Sequence, residues 1–219
     1  MTNEKTAKKV ANLLLSIQAV TFRFNPPFTY TTGLKSPVYL DNRIVMSYPD
    51  VRNQIINFYI EAIKENIGLP NAEWISATAT AAIPHGTLVA DRLHLPLVYV
   101  RPTTKSYGKG NKIEGYLKKG SKVVIIEDHI TTADSVVNNI KTIRESGSEA
   151  TYCITTSTYE TQKSQDSLKE NNITLLPLTT GKIIIQTALE NGQITQKEKD
   201  SIDVWFEDPP AWAKKMGFE

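Results

Sequence analysis

The run Val123, Val124, Ile125, Ile126, followed by Glu127 and Asp128 and then the hydroxyl-rich turn 131–135, restricts this chain more than any other segment. Four consecutive β-branched residues suit a strand buried on both faces, the situation in a parallel sheet covered by helices. The two acids stand where that strand is expected to end. Val136, Val137, Ile140 and Ile143 then recur at helical spacing, which predicts an amphipathic helix over 135–145 closing at Ser146 and Gly147. In open α/β sheets ligands bind beyond the carboxyl ends of the strands, and a helix N-terminus there offers free N–H groups and a positive dipole to a phosphate. Two acids beside it suit sugar hydroxyls or Mg²⁺.

The rest of the chain repeats this alternation. Strands are expected over 74–77, 97–100, 123–126, 152–155 and 173–178. Helices are expected over 84–93, 135–145, 162–171, 182–190 and 196–206. Before them, Val10, Leu13, Leu14 and Ile17 describe an N-terminal helix, and the apolar positions from Val51 to Ile63 describe another that Gly68 and Pro70 stop. Between the two lie β-prone runs at 28–31 and 38–40, which read as a hairpin-like pair. The fold class is therefore α/β, a mostly parallel central sheet flanked by helices with a small N-terminal hood. Residues 1–48 form the first helix and hood, 49–180 the α/β core, and 181–219 the C-terminal helices of a single compact domain.

Composition narrows the function classes. A length of 219 residues fits one domain with an appendage, and a net charge of +2 with mixed signs gives no electrostatic case for nucleic acid. No apolar run is long enough to span a membrane, and residues 1–9 lack the apolar centre of a signal peptide, so a soluble, unsecreted, cytoplasmic protein is expected. The one cysteine, Cys153, excludes an internal disulfide and reads as a buried core thiol. Three unclustered histidines give neither a metal site nor a triad. His94 reads as structural and His85 as a helix-surface residue with phosphate contact as the alternative. His129 could add positive charge, face solvent or pack beside Asp128. No Walker loop, dinucleotide fingerprint or nucleophile elbow is present.

Two further segments read as anion sites or as plain structure. Residues 101–114 are polar, glycine-bearing and cationic, and they directly follow a buried strand. Such a segment can close over an anion or remain a solvated loop. The small residues 77–82 before Pro84 let backbone N–H groups approach an oxyanion, although close helix packing requires the same residue types.

Glu127 to Thr132 resemble the phosphoribosyl-pyrophosphate signature of type I phosphoribosyltransferases, acid-acid-x-[Ile/Val]-Thr-[Thr/Ala/Ser]-Gly-[Gly/Thr/Ser]-[Ser/Thr/Ala]. Residues 28–43 are similar to the hood of the orotate phosphoribosyltransferase family, Phe-Thr-x-x-[Ser/Thr]-Gly-x-x-Ser-Pro followed by Tyr-x-Asp-Asn-Arg. Lys105, Ser106, Tyr107, Gly108 and Ile113, Glu114, Gly115 resemble its mobile loop. Ala188, Leu189, Gly192, Ile194, Trp205, Asp208, Pro209 and Trp212 are similar to its C-terminal helices.

The resemblance implies transfer of a phosphoribosyl group from phosphoribosyl pyrophosphate to orotate, giving orotidine 5′-monophosphate and pyrophosphate in pyrimidine synthesis, with Mg²⁺ as cofactor. It implies that Glu127, Asp128 and Lys105 are catalytic. Glu127 and Asp128 hold the ribose hydroxyls near a Mg²⁺ ion carried mainly by substrate. Arg101, Lys105 and Tyr107 belong to the pyrophosphate loop, which in the family reaches the neighbouring subunit of a homodimer. Thr131, Thr132, Ala133, Asp134 and Ser135 form the turn at the 5′-phosphate. Lys35, Ser36, Tyr39 and Leu40 line the orotate pocket, and Tyr159 matches a Thr-Tyr-x element of some relatives.

The chain departs from the pattern in three places. Some relatives have an arginine for the orotate carboxylate in the region of Tyr159, and none occurs here after Arg144. Pro102, Thr103 and Thr104 replace an extra lysine of the loop. Ala133 and Asp134 stand where glycine, then glycine or a small hydroxyl residue, are usual. A carboxylate at a helix start accepts the N–H groups a phosphate would use, so Asp134 is expected as an N-cap in the phosphate site. That supports a competing reading, a catalytically impaired binding or regulatory protein on the same fold.

Overall fold

The computed structural model describes residues 3–30, 33–102 and 112–218. Helix α1 (Glu4–Ser16) leads into β1 (Val20–Phe22), β2 (Phe28–Thr29), β3 (Lys35–Ser36) and β4 (Val38–Leu40). A 3₁₀ turn (Asn42–Ser47) precedes α2 (Pro49–Asn66). The core then runs β5 (Trp74–Thr78), α3 (Ile83–Leu93), β6 (Leu97–Val100), β7 (Ile113–Glu114), β8 (Lys122–Ile130), α4 (Asp134–Glu145), β9 (Glu149–Thr158), α5 (Gln162–Glu170) and β10 (Thr174–Thr180). Helices α6 (Gly181–Glu190), α7 (Gln196–Glu207) and α8 (Pro209–Lys215) follow.

Among the described residues the main sheet has the order β10-β9-β8-β5-β6-β7, with every pairing parallel except β6 with β7. Alternation along β8 explains its unbroken apolar run. Val124 and Ile126 enter one core with α1, α2, α3 and α6, while Val123 and Ile125 enter the other with α4 and Leu168 of α5. From β5 the chain crosses over α3 to β6 on one side. From β8 it crosses over α4 to β9 on the other. Strand order therefore reverses between β5 and β8, and the crevice outside their carboxyl ends is where such a sheet takes ligands.

The hood pairs differently from the sequence expectation. Phe28 and Thr29 pair with Ser36 and Lys35, whereas Val38, Tyr39 and Leu40 pair with Phe22, Thr21 and Val20, a strand the sequence reading missed. The hairpin closes early because Tyr30 N donates to Leu34 O (2.8 Å) and Gly33 N to Tyr30 O (2.8 Å). Pro37 has no N–H to continue that ladder, and its carbonyl instead accepts from Arg23 N (2.9 Å). Helix α8 was expected only through the resemblance of Asp208, Pro209 and Trp212 to C-terminal helices and not from periodicity; Asp208 caps it by accepting from Ala211 N (3.2 Å) and Pro209 occupies its first position.

Helix α3 lies so close to β5 that a Cβ at Gly86 would stand 2.8 Å from Ala77 Cβ and 3.6 Å from Leu97 Cδ1. Gly86→Ala would gain about 1 kcal/mol on an exposed helix. Here overpacking outweighs that gain, and we expect a net loss of about 1–2 kcal/mol in a urea titration. An unchanged or higher midpoint would show that the contact yields without cost.

Candidate active site

Strand β8 does not end at Ile126. It continues to Ile130, with Glu127 facing Thr155, His129 facing Ser157 and Ile130 facing Thr158 of β9. The acids therefore lie within a strand, on opposite faces, and not in a turn. Their carbonyls are held from α2 and from the end of the hood segment. Tyr59 Oη donates to Glu127 O (2.6 Å) and is itself 2.7 Å from Thr156 Oγ1, while Asn42 Nδ2 donates to Asp128 O (2.6 Å) and Ser157 Oγ (3.0 Å). These anchors keep a polar segment in the ladder that composition alone reads as a break.

Glu127 is buried, and its Oε1 accepts from Asp128 N (3.0 Å). Burial, reinforced by the adjacent Asp128 charge, raises its pKa well above the ordinary carboxylate range. Asp128 is half-exposed. His129 Nδ1 hydrogen-bonds Ser157 Oγ (2.9 Å), and its ring meets the edge of Tyr159 at 4.4 Å between centroids. Its Nε2 is shut off from solvent without a partner, and burial pushes its pKa down to about 4. His129 is thus neutral at pH 7 and supplies no positive charge. His85 is likewise not on the surface: it is fully buried, with Nδ1 3.3 Å from Ala81 O. Helix α3 turns that position toward the sheet and the ring of Tyr59.

The turn after β8 corrects a second expectation. Ala133, not Asp134, is the N-cap of α4, with φ +67° and no side-chain cap. That left-handed geometry costs a non-glycine residue about 1–2 kcal/mol and accounts for the glycine usual in the resembled signature. Asp134 is the first helical residue. Its Oδ2 accepts from Thr132 Oγ1 (2.8 Å) and Lys163 Nζ (2.9 Å), which together lower its pKa. Its carboxylate is directed to α5 and leaves the N–H groups of its own helix uncapped. Thr131, Thr132, Ala133, Asp134 and Ser135 line a cavity of about 230 Å³ together with Glu127 and His129. A neighbouring cavity of about 280 Å³ is lined by Thr78, Ala79, Pro102 and Asn138, and shares Asp134 and Ser135 with the first.

The remaining expected residues separate into three groups. Arg101 Nη1 pairs with Glu114 Oε1 (3.2 Å) at the β6–β7 edge, and the loop positions Lys105 and Tyr107 lie outside the described residues. In the hood, Ser36 Oγ donates to Val38 O (2.7 Å), Lys35 Nζ to Thr29 Oγ1 (3.1 Å), and Tyr39 stands near the rings of Phe28 and Tyr30 (5.6 and 6.0 Å). Leu40 is half-buried against the main core. Tyr159 is buried among His129, Trp205 and Phe206, and the Tyr30 hydroxyl donates to Val38 O (3.0 Å).

Sequence reasoning missed the polar groups that position the site. Asn139 of α4 is buried and donates to Thr78 Oγ1 (3.0 Å) while accepting from Ser76 Oγ (2.9 Å), which fastens α4 to the end of β5. Asn139 sits in the apolar face of its helix, a position at which a polar residue is itself a signal. Asn42 lay in the hood motif and Tyr59 in an apolar stripe, so neither showed its hydrogen-bonding role.

No protein-family model matches the chain. It is 43% identical over 210 residues to a protein of Enterococcus faecalis named orotate phosphoribosyltransferase, covering 96% of this chain and 99% of that one. Among solved structures it resembles the orotate phosphoribosyltransferase of Aeropyrum pernix (TM-score 0.73, 25% identity, 85% of this chain and 99% of that one). It also resembles the UMP synthase of Leishmania donovani (TM-score 0.76, 21% identity), covering 93% of this chain and 42% of that longer one. The fold is that of the type I phosphoribosyltransferases.

The buried histidine gives the protein a defined acid response. The folded-state pKa of His129, about 4, lies below the ordinary value of 6.5. As pH falls from 6.5 the unfolded chain takes up this proton and the folded chain does not, so stability declines toward pH 4 by up to about 1.4 kcal/mol per pH unit. Glu127 acts in the opposite sense, because the folded state keeps its proton to higher pH. The difference between wild type and His129→Gln isolates the histidine, and thermal melts from pH 7 to 4.5 should show a smaller acid loss in the variant. Parallel curves would mean that His129 titrates normally.

Proposed function

The chain belongs to the orotate phosphoribosyltransferase family, and we propose that it carries out that reaction as a Mg²⁺-dependent cytoplasmic homodimer whose loop 101–114 serves the site of the opposite copy. The reaction breaks the bond from ribose C1 to pyrophosphate oxygen and forms one from C1 to an orotate ring nitrogen, giving orotidine 5′-monophosphate and pyrophosphate. The single observation that carries the assignment of the site is that Glu127, at the β5–β8 reversal and next to Asp128, lines one cavity together with the turn 131–135 at the N-terminus of α4.

The residues fit the group the family requires. Mg²⁺ retains waters and is usually held by one or two carboxylates together with substrate oxygens. Among the described residues no set of three or more acidic, histidine or cysteine side chains forms a cage, and Asp128 and Glu127 supply the nearby carboxyl groups. When bound, Mg²⁺ neutralises the pyrophosphate leaving group. The protein groups do the rest. Displacement at an anomeric carbon builds positive charge on the ring, so the half-exposed Asp128 stabilises the transition state while Glu127 positions the ribose hydroxyls. The N–H groups at the start of α4 take the 5′-phosphate, and Arg101, Lys105 and Tyr107 close over the pyrophosphate.

Orotate then lies against the hood. Ser36 Oγ and the Lys35 carbonyl are used internally, the latter accepting from Trp205 Nε1 (2.9 Å), so the pocket is formed by remaining backbone groups of 35–40 and the faces of Tyr39 and Leu40. Tyr159 acts by packing His129 against Trp205 and Phe206, as its burial indicates. The lone, buried Cys153 suits a reducing compartment, and no helix among the described residues is long and apolar enough to cross a membrane. The competing regulatory reading loses its main support, since Asp134 does not cap α4.

Orotate consumption followed spectrophotometrically tests the assignment. We expect turnover that requires both phosphoribosyl pyrophosphate and Mg²⁺ and that stops with excess EDTA. No turnover at millimolar substrates would overturn it.

Lys105→Ala should lower kcat by roughly 100-fold, the effect of removing one preorganised charge contact. Because the loop acts across the dimer, Lys105→Ala chains exchanged with Asp128→Asn chains should regain activity, one site of each mixed dimer being intact. No recovery after verified subunit exchange would place the loop in its own subunit's site.

A further inference from the structure

The β8–α4 turn carries a charge pair that neither the fold nor the signature explains. Asp134 and Lys163 are 64% and 62% exposed, and an ion pair so open to water adds little to stability and exchanges readily for a stronger partner. Its placement is nonetheless fixed. Thr161, the N-cap of α5, donates from Oγ1 to Thr131 O (2.6 Å) and accepts from Ser164 N (3.2 Å), so the first turn of α5 is fastened to the cavity-lining turn. Lys163 is the second residue of that helix, and its ammonium reaches the rim of the cavity through Asp134 Oδ2 (2.9 Å). Asp166, the next acid on α5, is engaged by Gln162 Nε2 (2.9 Å).

We propose that Lys163 is a substrate-binding residue for the 5′-phosphate of phosphoribosyl pyrophosphate, held ready by Asp134 in the free protein and transferred to the phosphate when the turn is filled. This rests on the reading of that turn given under the proposed function. A phosphate monoester carries nearly two negative charges and three acceptor oxygens against one charge on the carboxylate, so the ammonium gains by the exchange. Asp134 is then a positioning residue. Its charge beside the phosphate turn, unusual for the signature, is matched by Lys163, which is supplied from the following βα unit.

Calorimetric titration with ribose 5-phosphate, with ribose as the phosphate-free control, tests this beside steady-state kinetics. Lys163→Gln should weaken ribose 5-phosphate binding about tenfold and raise KM for phosphoribosyl pyrophosphate to match, with kcat and KM for orotate within about twofold of wild type. Lys163→Arg should restore most of the binding. The same tenfold loss should appear when Lys163→Gln is made in an Asp134→Asn background. Wild-type binding by Lys163→Gln would overturn the proposal, as would a loss that vanishes in the Asp134→Asn background, since Lys163 would then only neutralise Asp134. A wild-type protein that turns over orotate but shows no phosphate-dependent preference for ribose 5-phosphate over ribose would also overturn it. Absence of both turnover and binding would instead remove the reading of the turn itself.

Discussion

The site depends on parallel pairing between β8 and β9 that continues past the apolar residues into Glu127, Asp128, His129 and Ile130. Backbone groups in such a segment are buried and need partners, and side chains outside the ladder supply them to the carbonyls of Glu127 and Asp128. Tyr59 and Asn42 do so at 2.6 Å each. A typical hydrogen bond contributes about 1 kcal/mol, but a buried acceptor left unmade costs about 1–3 kcal/mol, so these contacts are conditions for the strand rather than ornaments on it. Extending β8 by these residues turns Glu127 into the interior and leaves Asp128 at the cleft. Two adjacent, chemically identical groups thereby acquire different environments.

The reversal of strand order between β5 and β8 explains why the cleft opens at this point. Helices α3 and α4 leave the sheet toward opposite faces, so no crossover covers the gap between the ends of β5 and β8. Asn139 fills the space behind it by joining Ser76 and Thr78 of β5 to α4. The cleft wall is therefore stiffened by a buried polar bridge, with each of its named groups satisfied.

The β-branched run at 123–126, the helical periodicity of 136–143 and the strand–helix alternation were all legible, because burial on two faces leaves a one-dimensional signature. Less legible were the ends of elements. Strand β8 outruns its apolar run because Asn42 and Tyr59, distant in sequence, satisfy its polar end. Strand β1 is three residues long and gains its partner only from β4. Helix α8 carried an Asp-Pro start signal that periodicity over seven residues was too short to reinforce. In the site, the acids and the turn 131–135 were legible as a group, whereas the pairing of Asp134 with Lys163 was not, since nothing in sequence marks two side chains 29 residues apart as neighbours. His85 was misjudged and His129 left open for a common reason. A neutral imidazole is a tolerable core residue once one nitrogen is bonded, and sequence does not reveal which face of a helix or strand turns inward at a sheet end.

The hood is tied to the acidic strand by side chains and not by its own short ladders. Trp205 of α7 donates to Lys35 O, Tyr159 packs between Trp205 and the His129 ring, and His129 and Asn42 converge on Ser157. Two-residue strands such as β2 and β3 cannot hold a fixed shape alone. Their position is set by this chain of aromatic and hydroxyl contacts, which ends on the residues beside the carboxylates. A displaced hood therefore breaks the bond from Trp205 to Lys35 and removes a partner of Ser157, while a displaced β8 removes a neighbour from Tyr159. The base pocket and the sugar site are thus ordered by the same buried contacts, which is why a pocket wall of such short strands can still present a defined surface to a planar ring.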